Sequence, residues 1–313
     1  YAPTQGSYVR YPNPAAATLQ VGKGFWGWFA QDVQPNVRGA LPDDTQPLAI
    51  ALRRGWNLIG NPWLGNVDWN PSQIKARQNG VEKSLAEAQQ AGWVEDYALG
   101  WQPDANDPST GRYVLVYDRN LLPGAQGQLE PWKGYWVYAN QDCELILPPP
   151  SVQRGRGATR RAQDVEQRGW SIKLGAKVGS EMGQSEVLFG AVKNGRGLAI
   201  GLPPDPPEAS TATAPKLLLK RGGQPLSVDV RAESRLNTPW EVEVHMPAGS
   251  GDRATLYWQD VQRAPRTANP VLVDLQTGER RFLRTTSSHS FAVSREGGVY
   301  RFRVEMVPLS GLL

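Results

Sequence analysis

The chain has 313 residues, with 34 basic and 30 acidic side chains. The net charge of +4 points by itself to neither nucleic acid nor an anionic membrane. One cysteine and two histidines exclude an intrachain disulfide, a cysteine metal cluster and a standard zinc site.

The length suffices for two domains, each with its own core. Gly (33) and Pro (26) are plentiful and Trp numbers 12. With many short apolar runs, this composition favours an all-β fold. No run approaches the roughly 18 apolar residues of a membrane helix. The chain opens at Tyr1 with no charged and then apolar leader, so a processed or excised piece of something longer is expected. Scarce Cys and Met fit a secreted or cell-surface protein.

In chain order, "YAPTQGSYVRYP" (1–12) and "KGFWGWFA" (23–30) come first. Both recur, as "WQPDANDPSTGRYVLVYD" (101–118) and "KGYWVYAN" (133–140). Between the copies, "RRGWNLIGNPW" (53–63) opens a unit, so the first copy is expected to lack its opening. Such repeats are structural units that bury their apolar faces against one another.

The second phrase alternates. Tyr135, Val137 and Ala139 share one side, and Trp136 and Tyr138 the other, which predicts a strand with aromatics on both faces. Lys133-Gly134 is the expected turn before it, and Gly60-Asn61-Pro62 ends the "GWNLIGNP" strand. Asn79-Gly80 predicts a hairpin turn. Ser84 with Glu87 forms a capping box and Gly92 suits the C′ position, which predicts a short helix over 85–91.

"PPPSVQRGRGATRRAQDVEQRG" (148–169) opens with three prolines, carries four arginines between Arg154 and Arg161, and has no apolar period. It reads as an exposed linker between an aromatic-rich domain (1–147) and a second domain (170–313). Nine alternating segments follow, from "WSIKLGAKV" to "VYRFRVEMV", and predict an antiparallel β-sandwich of immunoglobulin-like type. "LPPDPPEASTATAP" (202–215) reads as a polyproline-like surface loop.

"GWNLIGNPW" with "LEPWKGYWVYAN", and Leu272 to Gly278 with Arg284 to Phe291, resemble segments of large secreted or surface-displayed bacterial proteins with tandem β domains. The resemblance covers most of the chain. It implies a sandwich architecture and brings no catalytic residues with it.

The chemistry-bearing residues are sparse. His245 and His289 lie in alternating strands without a nucleophile elbow, and read as ordinary strand side chains. Acids are scattered through turns, as at Asp43-Asp44, Glu95-Asp96 and Asp142, so no glycosidase pair stands out and an enzyme is not expected. "GRGATRR" and "KNGRG" lack the strand–loop–helix context of a phosphate site. No cofactor is expected. Calcium is the weak exception: Asp104, Asn106 and Asp107 crowd an oxygen-rich loop that also reads as a plain turn. Trp26, Trp28, Tyr135, Trp136 and Tyr138 form the candidate aromatic binding face, with the core as the competing destination.

Two functions fit. The first is a non-catalytic extracellular structural or adhesive module, touching other copies of itself or neighbouring surface proteins. The alternative is a carbohydrate-binding module that accompanies a polysaccharide-degrading enzyme. Neither a nucleic-acid partner nor a membrane span is expected.

Overall fold

The computed structural model describes residues 1–17, 19–27, 29, 31, 33–34, 39–40, 42–103, 111–119, 121–122, 124–150, 169–179, 181–182, 186–193, 197–207 and 214–309. The first part holds α1 (Pro14–Ala17), β1 (Leu48–Leu52), β2 (Gly55–Gly60), β3 (Val67–Asp68), β4 (Lys75–Gln78), β5 (Val81–Ser84), α2 (Leu85–Gln90), β6 (Ala98–Pro103), β7 (Gly111–Val116), β8 (Gln128–Leu129), β9 (Gly134–Ala139) and β10 (Cys143–Leu147). The second holds β11 (Gly169–Val178), β12 (Glu181–Met182), β13 (Val187–Val192), β14 (Leu198–Gly201), β15 (Lys216–Arg221), β16 (Gln224–Ala232), β17 (Trp240–Met246), β18 (Arg253–Gln259), β19 (Ala268–Asp274), β20 (Arg280–Phe282), β21 (Ser288–Ala292) and β22 (Gly298–Pro308). The protein is all-β. No helix among the described residues is long and apolar enough to cross a membrane.

Two four-stranded sheets build the first part, in the orders β1-β10-β4-β5 and β2-β9-β6-β7. The Asn79-Gly80 turn joins β4 to β5 with both residues at positive φ, as a two-residue hairpin loop requires. The predicted helix is α2. Ser84 accepts from the Glu87 backbone while the Glu87 carboxylate accepts from the Ser84 backbone, and Gly92 follows at φ 70°. The turn before β9 differs from expectation. Its left-handed residue is Trp132 (φ 61°), and Gly134 already belongs to the strand.

The second part is a single twelve-stranded sheet, nearly closed on itself, whose main path runs from β20 to β21. All nine predicted segments are strands. Residues 202–207 and 214–215 of the predicted surface loop are non-strand, while β14 and β15 on either side were not anticipated. β15 buries Leu217, Leu218 and Leu219 in succession, so it has no alternation to read. One pairing, β13 with β16, is parallel. The intervening chain makes the crossover that a parallel pair needs, and β14 and β15 both pair onto β16 on the way.

Buried side chains fall into three clusters. One lies wholly within the second part, around Trp170, Phe189, Trp240 and Phe302. Another lies within the first, around Ile59, Trp63, Trp69 and Tyr135. The third takes Tyr97, Leu99, Tyr113 and Trp136 from the first part and Leu188, Ile200, Val228 and Val230 from the second. The two parts therefore share apolar surface. Residues 151–168, most of the predicted linker, lie outside the described residues.

Candidate functional site

The repeated phrases lie on either side of β2. Gly134 pairs with Gly60 across one edge, and Lys23 bridges Ile59 across the other, with Gly24 N donating to Leu58 O at 3.0 Å. The hairpins correspond as well. Ala2 bridges Ser7 in the first, and Trp101 pairs with Tyr113 in the second. The packing is reciprocal: Tyr1 of the first hairpin lies against Trp136 of the second phrase, and Trp101 of the second hairpin against Trp26 of the first. Their ring centroids are 4.9 and 5.5 Å apart, both edge-on.

This arrangement decides the fate of the aromatic face. β9 runs between β2 and β6, which pair both of its edges, and its two faces pack into two different clusters. Tyr135, at 0 % exposure, points into the first part's own core with Val137 and Ala139. Its ring lies where a side chain at residue 100 would stand, 2.8 Å from an added Cβ, so Gly100 is required there. Burial pushes the Tyr135 phenol up to about 12, and its oxygen accepts from Glu130 N at 2.7 Å. Trp136, at 1 % exposure, enters the shared cluster and donates to the Tyr113 hydroxyl at 3.1 Å. Tyr135 and Trp136 thus leave the proposed exposed face, because one side of their strand packs into the first part's own core and the other into the shared cluster. Trp26 is half-buried against Trp101. Trp28 lies outside the described residues, as do Asp104, Asn106 and Asp107 of the candidate calcium loop.

Tyr138 remains, and it leads to a site. It stands 5.1 Å from Trp56, which also approaches Tyr97 at 6.5 Å. With Tyr117 these rings line a cleft of about 980 Å³ between the two parts. Burial, reinforced by the carboxylates Glu95 for Tyr97 and Asp96 for both, pushes the Tyr97 and Tyr117 phenols upward. Both stay protonated and able to donate. Glu95 and Asp96 line the cleft too. Their segment is pinned by Glu95 N donating to Tyr138 O (2.9 Å) and by the Trp69 indole donating to Asp96 O (2.8 Å). The Glu95 carboxylate accepts from Asn140 at 2.9 Å.

The opposite wall is cationic. Arg221, Arg231 and Arg235 line it. Asp229, fully buried, accepts from Arg231 Nε and Nη2 at 2.9 and 2.7 Å, and from Arg221. The Arg231 guanidinium also lies 4.9 Å over the Trp240 ring and donates to Thr238 O. One carboxylate thus fixes two guanidiniums in place. The Arg235 side chain, on the exposed turn beyond β16, has no hydrogen-bond or ion-pair partner among the described residues. The cleft therefore has aromatic rings and carboxylates on one side and guanidiniums on the other. Sequence reasoning noted Glu95-Asp96 only as scattered acids and missed the arginines, since Arg221, Arg231 and Arg235 lie more than a hundred residues from that pair.

No protein-family model matches this chain, and no curated protein or solved structure does either.

Proposed function

We propose that the chain is a binding module that takes a carbohydrate in the cleft between its two parts. The observation that carries this reading is the composition of the cleft. Sugar rings offer apolar C–H faces that suit flat aromatics, and their hydroxyls suit carboxylates and guanidiniums. The volume lies within the range of about 300–1,000 Å³ typical of ligand sites. Walls held by Asp229, Trp69 and Asn140 are ordered before a ligand arrives, which lowers the cost of binding. The setting that fits such a module is secreted or cell-surface.

The test is titration of the intact protein with a panel of neutral, acidic and amino oligosaccharides, followed by calorimetry and Trp fluorescence. Binding should weaken at least about tenfold in Tyr138→Ala and in Arg235→Ala. If no member of the panel binds, or if both variants bind as the parent does, the reading fails.

A second reading, a structural or adhesive module acting through protein contacts, is favoured by a separate observation. Phe25 and Phe29, on the first copy of the phrase, are 66 % and 57 % exposed.

A further inference from the structure

The two walls of the cleft carry charge of opposite sign, and neither charge is cancelled on its own side. On the first part, the Glu95 carboxylate bonds to the neutral amide of Asn140 at 2.9 Å and to no cation among the described residues. The described residues of the first part that line the cleft include no Lys or Arg. On the second part, Arg221, Arg231 and Arg235 stand with one carboxylate, Asp229, which the first two share. The Arg235 side chain is exposed and bonds to nothing described.

The surroundings of the two charges differ as well. Trp56 and Tyr138, both half-buried, meet at 76° with centroids 5.1 Å apart. Two rings near a right angle form a corner, and the negative faces of their quadrupoles attract an ammonium group. The buried Tyr97 backs Trp56 at 6.5 Å. A carboxylate on the same wall adds to that attraction. The opposite wall offers planar guanidiniums, whose forked donors match a carboxylate. A ligand of one sign meets a repelling wall as well as an attracting one. A ligand of both signs meets two attracting walls. Sugars carry these charges as amino groups and as uronate carboxylates. We propose that the cleft selects a zwitterionic oligosaccharide, with its ammonium group on the wall of Trp56, Tyr138 and Glu95 and its carboxylate on Arg221 and Arg235. The proposal rests on the carbohydrate reading of the cleft and adds the charge of the sugar.

Four tetrasaccharides separate the charges: chitin is neutral, chitosan cationic, hyaluronan anionic, and de-N-acetylated hyaluronan carries both signs. Each is titrated calorimetrically into the intact protein in mildly acidic, low-salt buffer, where the sugar amines are protonated and the carboxylates ionised. The zwitterionic tetrasaccharide should bind at least about tenfold more tightly than each of the other three. Glu95→Gln should reduce its advantage over hyaluronan and keep its advantage over chitosan, and Arg235→Ala should do the reverse. Damage to the fold would instead weaken all four ligands alike. Equal binding of the four, or tightest binding of chitin, chitosan or hyaluronan, overturns the proposal and leaves the carbohydrate reading standing. Equal weakening of all four by both variants also overturns it. Binding of none overturns both.

Discussion

Tyr8 and Tyr113 hold equivalent places in the two hairpin copies, and their hydroxyls donate to adjacent carbonyls of the second part, Asp205 O at 2.8 Å and Pro204 O at 2.9 Å. A duplicated element thus grips one short stretch of its neighbour twice. The two grips differ in their surroundings. Tyr113 is buried and also accepts from the Trp136 indole, whereas the Tyr8 contact is exposed. Tyr8→Phe should cost about 1 kcal/mol, the net worth of one hydrogen bond. Tyr113→Phe should cost more, about 2–3 kcal/mol, because it also strands a buried indole N–H. Urea unfolding followed by Trp fluorescence checks the order. Equal costs would show that the Trp136 contact adds nothing.

Asp229→Ala should be among the most damaging single changes in the second part. It leaves Arg231, itself buried, without its counter-charge, and breaking a buried pair from one side costs about 3–5 kcal/mol. The exposed pair Arg53–Asp142 is the control, since solvent screens pairs of that kind and they contribute little. Comparable midpoints for Asp229→Ala and Asp142→Ala in denaturant would refute this assignment.

Local features were the legible part of the sequence. The Asn79-Gly80 turn, the Ser84–Glu87 box and the two-faced alternation of Tyr135–Ala139 each depend on contacts within a few residues, and the structure contains all three. The strands missed were those without alternation, such as β15 with three successive buried leucines. Whether an aromatic faces water was not legible. Phe25 and Tyr135 follow the same Lys-Gly pair, yet one is bare and the other enclosed, because exposure depends on which distant strand lies alongside. The cleft was hidden for the same reason. Trp56 and Tyr138 face arginines brought by a part of the chain whose pairing no short-range pattern encodes.

Acid should weaken the second part through Asp274. Burial raises the carboxyl pKa, but donors from Gln276 N (2.8 Å), Thr277 N (3.2 Å) and His289 outweigh it and hold the group below its usual 3.8. A depressed acid pKa contributes stability that is present above the unfolded value and lost as pH falls through the folded one. The loss therefore begins near pH 4 and continues below it. Asp274→Asn should lower stability at neutral pH by about 1–3 kcal/mol and flatten this acid limb. Denaturation midpoints measured from pH 6 downwards should show the two curves converging. Parallel curves would mean that another carboxylate sets the acid response.

Cys143, the single thiol, reports on the first part alone. It sits in β10 opposite Leu52, and burial with its neighbours Asp142 and Glu144 pushes the thiol up to about 11. At pH 8 only about one thiol in a thousand is ionised, and the thiolate is the reactive form. Native protein should therefore label slowly with iodoacetamide, and denatured protein quickly, at one site per chain. The rate gives the opening of the first part. Combined with Asp229→Ala, it tests whether the shared cluster joins the two parts energetically. Tyr97, Leu99 and Trp136 lose apolar cover whenever Leu188, Val228 and Val230 depart. Damage placed wholly in the second part should then speed labelling of a cysteine in the first. If Asp229→Ala destabilises the second part and leaves the Cys143 rate unchanged, the two parts open independently and the shared cluster contributes little to their union.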